Sequence, residues 1–119
     1  MKAFYPMQVK EAVAHAAAGG QALHLHRIIV DRRKAPRCFV AAVDRGEPIA
    51  HLFDLDSARL VRTARSLGVK VIFIDRDGTN SQHIDLCAGP LRKALALVEN
   101  KLECGDILAT HFGGKCDDD

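Results

Sequence analysis

The segment SQHIDLCAGP, residues 81–90, places His83 and Asp85 two positions apart, just ahead of a proline that suits a helix start. In an extended chain residues i and i+2 point to the same side, so an extended QHIDL presents an imidazole and a carboxylate together. Two chemistries use such a pair. Carboxylate oxygens and imidazole nitrogens bind a divalent metal such as Mn²⁺ or Zn²⁺. Alternatively, the carboxylate fixes the tautomer of a histidine that acts as general acid or base. Ligands of α/β sheets gather beyond the carboxyl ends of strands, which brings in Asp31, at the end of ALHLHRIIVD, and Asp75, at the end of VKVIFI. His51 lies inside the apolar run PIAHLF. The expected catalytic set is His51, His83 and Asp85, and the expected metal set is Asp31, His83 and Asp85. Plainer readings stand beside these: a histidine in an apolar strand is often a satisfied core residue, and an Asp at a strand end often caps a turn.

Anion contacts are the second candidate. The loop RRKAPR with Arg27 holds five basic residues within eleven, and Arg32, Arg33 and Arg37 are the expected substrate-binding residues for an anionic small molecule bearing phosphate. Arg59, Arg62 and Arg65 form a stripe on a later helix. A solvated loop and a solvated helix face are the plainer explanation of both. No aromatic residues are interleaved for base stacking, so there is no strong nucleic-acid signal. Other patterns are weaker: DRDGTN lacks the distal Glu of a calcium loop, and Cys104, His111 and Cys116 match no common zinc spacing. His24 and His26 share a strand face and suit a metal pair or an interface.

The elements that must position these groups follow from periodicity and stop signals. Pro6 opens a helix over about 7–18 that ends at Gly19-Gly20. ALHLHRIIVD reads as a strand, and CFVAAV and PIAHLF as a β-hairpin turning at Gly46. In DLDSARLVRTARSLG, Leu60, Val61, Ala64 and Leu67 share a face, Asp54, Asp56 or Ser57 caps, and Gly68 stops. VKVIFI reads as a central strand. Pro90 opens a last helix carrying Leu91, Leu95, Val98 and Leu102, with Gly105 as its stop. The expected fold is α/β (α+β as the alternative), a mixed sheet of about four strands with three helices in the order α-β-β-β-α-β-α. The tail DILATHFGGKCDDD adds at most a short edge strand, and an acidic end frays over about 113–119.

A chain of 119 residues is one domain by size. Its 17 basic and 15 acidic residues give +2, and three of the acids are terminal, so residues 1–116 set 17 against 12, or +5. That is too mild for a dedicated DNA binder. No apolar run approaches the eighteen or so residues of a membrane span, and Lys10 and Glu11 interrupt any signal-peptide core. The expected location is cytoplasmic, with the four cysteines reduced. The order of elements also matches that of restriction-type nucleases. Asp44 and Glu47 sit at the hairpin, but PIAHLF offers no lysine to assist an attacking water.

VDRRKAPR, AHLF, ARSLGV, QHIDL and RKALAL, in succession over about residues 28–97, resemble a family of small bacterial proteins catalogued as a domain of unknown function. In that pattern an extended V-D segment precedes an H-L pair, a helix ending in L-G follows, and an H-aromatic-D segment leads into an Arg/Ala-rich helix. Arg32 stands where a second Asp is usual and Ile84 where an aromatic is usual, which weakens a paired carboxylate at the first strand. The resemblance implies no reaction, but it groups Asp31, His51, His83 and Asp85. Two functions are therefore expected as alternatives: metal-assisted or acid–base hydrolysis of a phosphate-bearing substrate, or a non-catalytic binding or homodimeric assembly module using the arginine face or an open sheet edge.

Overall fold

A computed structural model describes residues 1–27 and 31–100. The chain runs β1 (Lys2–Phe4), α1 (Val9–Ala17), β2 (Ala22–His26), α2 (Arg37–Asp44), β3 (Ile49–Phe53), α3 (Ser57–Ser66), β4 (His83–Leu86) and α4 (Ala88–Leu97). The strands form one mixed sheet in the order β1-β2-β3-β4, with β1 parallel to β2 and the other two pairs antiparallel. The α/β class and the four-stranded mixed sheet are as expected. Among the described residues there are four helices, not three. The strand expected first, β2, stops at His26, short of the expected Asp31, and α4 stops at Leu97, where Val98 turns extended, short of the expected Gly105; the Cys104/His111/Cys116 group and the acidic tail lie outside the described residues.

Stop signals explain the helices that the sequence reveals. Gly19, at φ +102°, ends α1, its N–H donating to Ala16 O at 2.9 Å. Asp56 caps α3 by accepting from Arg59 N–H at 3.0 Å, and Gly68 ends it at φ +96°. Two expected strands are corrected. CFVAAV is helical because Phe39, Ala42 and Val43 fall on one helical face and pack against Ile49 and Cys87. Gly46 then serves as the helix stop, at φ +81°, with its N–H on Val43 O, so no hairpin forms there. VKVIFI is no central strand. Ile72 and Ile74 pack on the core while Val71 and Phe73 are 85% and 72% exposed, and the segment joins the sheet only through the Asp75–His83 bridge beyond β4.

The two faces of the sheet differ. Leu23, Leu25, Ala50, Leu52, Ile84 and Leu86 point to one side and meet Leu60 and Ala64 of α3, Leu67 at its C-terminal cap, and Leu91 and Ala94 of α4 in the main core. Period-two alternation sends Ala22, His24 and His26 of β2, Ile49, His51 and Phe53 of β3, and His83 and Asp85 of β4 to the other side. Among the described residues only the ends of that second face are covered by apolar contacts. Phe4, Ala22 and Phe53 pack under Ala12 and Ala16 of α1, and Ile49 packs under Ala42 of α2. Between them the sheet presents imidazoles.

Candidate functional site

Strand register brings these polar side chains together. His24 is paired with His51, His51 with Asp85, and Phe53 with His83, and directly opposed residues share a face with close Cβ atoms. The rings form a continuous row. His26 stacks on His51 with centroids 4.0 Å apart, His51 meets His83 edge-on at 4.3 Å, and His24 lies 6.0 Å from His51. Phe53 closes the row at 5.2 Å from His83.

Within the row, His51, His83 and Asp85 each direct one donor atom to a common region, all within 4.8 Å of one another. His51 Nδ1 is 2.7 Å from Asp85 Oδ1, a short charge-assisted hydrogen bond. His83 Nε2 is 3.3 Å from the same oxygen and 3.5 Å from Asp75 Oδ2, at ion-pairing distance and without hydrogen-bond alignment. His83 Nδ1 donates to the Ser81 carbonyl at 2.9 Å. That bond fixes the ring so that Nε2 faces the carboxylates, the usual arrangement behind a metal-ligating histidine. The site is graded in depth: the His83 side chain is 8% exposed, His51 27% and Asp85 43%.

The charges fit an anion held by imidazoles. Burial pushes the Asp85 carboxyl up, but the His51 and His83 rings beside it outweigh burial and hold it well below the ordinary carboxylate range. Burial likewise pulls His83 down, and the Asp85 carboxylate, the Ser81 carbonyl and Asp75 outweigh it, leaving His83 raised. His24 goes the other way. Burial lowers it further than the Pro6 carbonyl, 3.0 Å from Nε2, raises it, and His51 adds to the lowering. Nε2 donates to the Pro6 carbonyl, and among the described residues Nδ1 is buried without a hydrogen-bond partner.

Of the residues singled out in the sequence, His51, His83 and Asp85 converge. Asp31 is not among the converging donors. It is exposed and closes a turn, Oδ1 accepting from Arg33 N–H at 3.1 Å. Arg32 is held by Asp44 at 2.9 Å, whereas among the described residues Arg33 and Arg37 are exposed with no ion pair. Arg59 is not part of a free stripe: it binds Asp54 at 2.7 Å and the Gly19 carbonyl at 2.9 Å, leaving Arg62 and Arg65 exposed. His24 and His26 belong to the row, which H-x-H in a strand signals only once β3 is placed beside it. A shallow hollow of about 360 Å³ on the outer face of α1, lined by Val9, Lys10, Val13 and Ala14, includes none of these groups. Among the described residues no helix is long and apolar enough to cross a membrane. No family model, curated protein or solved structure matches the chain.

Proposed function

We propose that the protein is a hydrolase acting on a phosphate-bearing substrate at a divalent-metal site held by His51, His83 and Asp85. The convergence of two imidazole nitrogens and one carboxylate oxygen within 4.8 Å carries this reading. Such a donor set suits Zn²⁺, Mn²⁺ or another first-row ion and leaves positions for water and substrate. When bound, the metal supplies Lewis acidity and a water activated near neutral pH. The chain's own contribution is a ring oriented by Ser81, a carboxylate kept ionised by its neighbours, and walls from α1 and α2 that limit solvent at the imidazole row. Arg33, on the segment between β2 and α2, and Arg37, the first residue of α2, are the anion contacts in this proposal. A cytoplasmic setting with reduced cysteines belongs to the same reading, as does the likeness over residues 28–97 to a bacterial domain of unknown function.

The test is metal content and phosphoesterase activity together. Chelated protein is dialysed against Zn²⁺ or Mn²⁺, and bound metal and p-nitrophenyl phosphate ester hydrolysis are measured for wild type, His83→Ala and Asp85→Asn. One ion per chain and metal-dependent hydrolysis are expected in the wild type, both lost in the variants. A folded wild type that retains neither ion sinks the proposal.

The 2.7 Å His51–Asp85 bond favours one second reading, a metal-free dyad in which Asp85 orients His51 and Nε2 moves the proton. Hydrolysis that survives chelation but falls about 10²–10⁴-fold in His51→Ala would select it. Homodimeric assembly, the non-catalytic alternative, now draws on the exposed Val71 and Phe73 beside β4 and not on the arginine face.

A further inference from the structure

Resting on the metal reading above, we infer that Asp75 is a fourth protein ligand of a two-histidine, two-carboxylate centre, which would admit water or substrate by expanding to five-coordination. The evidence is positional. Asp75 and His83 are joined by a pair of backbone hydrogen bonds, Asp75 N–H to His83 O at 2.8 Å and His83 N–H to Asp75 O at 3.0 Å. Residues so paired are directly opposite and send their side chains to the same face of the sheet. The Asp75 carboxylate is thereby fixed on the imidazole side, although it lies outside the strands proper.

The distances match a coordination sphere. Two ligands bonded at 2.0–2.1 Å to a tetrahedral ion lie about 3.3–3.4 Å apart. His83 Nε2 is 3.3 Å from Asp85 Oδ1 and 3.5 Å from Asp75 Oδ2. Both carboxylates thus flank the same nitrogen at ligand–ligand separation, and neither is aligned to accept a hydrogen bond from it. Without metal, Asp75 lies outside the inner group of three donors; its side chain is 52% exposed, and ligation requires it to rotate inward about its fixed backbone. The His51–Asp85 contact must lengthen from 2.7 Å by about 0.6 Å to reach the same separation. Two carboxylates balance the charge of a divalent cation, and their hard oxygens favour ions such as Mn²⁺ and Zn²⁺ over Cu⁺.

The probe is Co²⁺, whose visible absorption reports coordination number. Chelated full-length protein is titrated with Co²⁺ alone, with wild type, Asp75→Ala, Asp75→Asn and His83→Ala compared, and folding checked by circular dichroism. Expected are an intense four-coordinate band in the wild type and, in Asp75→Ala, a weaker, shifted band with affinity reduced at least as much as the roughly 10–100-fold seen on losing an outer-shell partner. Asp75→Asn, which keeps the shape, decides if Asp75→Ala misfolds, and should show the same direction of change. Wild-type affinity and spectrum in a folded Asp75 variant overturn the fourth ligand while leaving the three-residue site standing. A wild type that binds no Co²⁺ overturns both.

Discussion

Asp54 follows Phe53 directly and is wholly buried, yet its carboxylate is ionised and fully used. It accepts from Arg59 Nε at 2.7 Å, Arg59 Nη2 at 2.8 Å, Gln21 Nε2 at 2.9 Å and Asp56 N–H at 2.9 Å. These contacts tie the end of β3 to the start of α3 and to the loop before β2. Gln82, beside His83, in turn donates to the Asp54 carbonyl at 2.8 Å. Asp54→Ala strands four donors at once. Breaking a buried ion pair costs about 3–5 kcal/mol; because the Arg59 side chain is 37% exposed and can recover water, the lower end applies, about 3 kcal/mol. For a domain near 100 residues that lowers Tm by roughly 10–20 °C.

The loss should also depend on pH in a definite sense. Burial pushes the Asp54 carboxyl up, but Arg59, the Asp56 amide and Gln21 outweigh it and hold it below its ordinary value. The unfolded chain therefore takes up the proton first as acid is added. The contribution is complete above the unfolded value, about 3.9, and is lost as pH falls through that value toward the lower folded one. Urea denaturation of wild type and Asp54→Ala, followed by circular dichroism at pH 7 and at pH 3, gives the test. A difference under about 1 kcal/mol at pH 7, less than one ordinary charge-assisted hydrogen bond, refutes the assignment, as does a difference that does not shrink in acid.

Other variants address separate features. Arg76 is exposed at φ +55°, so Arg76→Gly should raise stability by about 1 kcal/mol through relief of left-handed strain, measured by urea midpoint. Phe73→Lys should change stability by no more than about 0.5 kcal/mol, whereas Ile84→Ala, in the main core, should lose about 2–5 kcal/mol; equal losses would restore VKVIFI as a buried strand. In metal-free protein, His24, held low, favours folding less as pH drops below about 6.5, while His83, held high, contributes stability below about 6.5 that is lost as pH rises through its folded value. Stability should therefore peak near neutrality, with His24→Phe flattening the acid side and His83→Asn the alkaline side; unchanged slopes in urea titrations would contradict both shifts.

The parts of the fold written in local signals are the parts that reading the chain locates. Asp56 and Gly68 bracket α3 and Gly19 ends α1, because capping and left-handed stops are decided by a few neighbouring residues. CFVAAV and VKVIFI fail for a different reason. A short, mostly apolar run has no period to distinguish helix from strand, and what decides it is distant: Ile49 and Cys87 offer α2 a surface, while β4 takes only one bridge from the 69–75 segment. The site is similarly divided. His83 and Asp85 are adjacent in the chain and visible as a pair. That His51 faces Asp85, and Asp75 faces His83, depends on β-register, which is fixed by the aliphatic face of the same strands meeting α3 and α4. Asp31 had the right residue type at an apparent strand end, but β2 stops at His26 and leaves it in a turn.

That shared register explains how a small sheet holds a polar cluster at all. In β2, β3 and β4 the even-odd alternation puts Leu23, Leu25, Leu52, Ile84 and Leu86 on one side, and a slip of one residue would expose every one of them. The aliphatic side therefore enforces the position of His24, His51, His83 and Asp85 on the other, without any of them having to stabilise the fold. Indeed they do the opposite in part. A buried His24 with an unpartnered Nδ1 and an ionised Asp85 among rings both carry desolvation penalties, where aliphatic residues under α1 and α2 would carry none. Exceptions to local consistency concentrate at functional sites. A row of imidazoles with a carboxylate beside it, placed where aliphatic side chains would carry no such penalty, supports the proposed metal site.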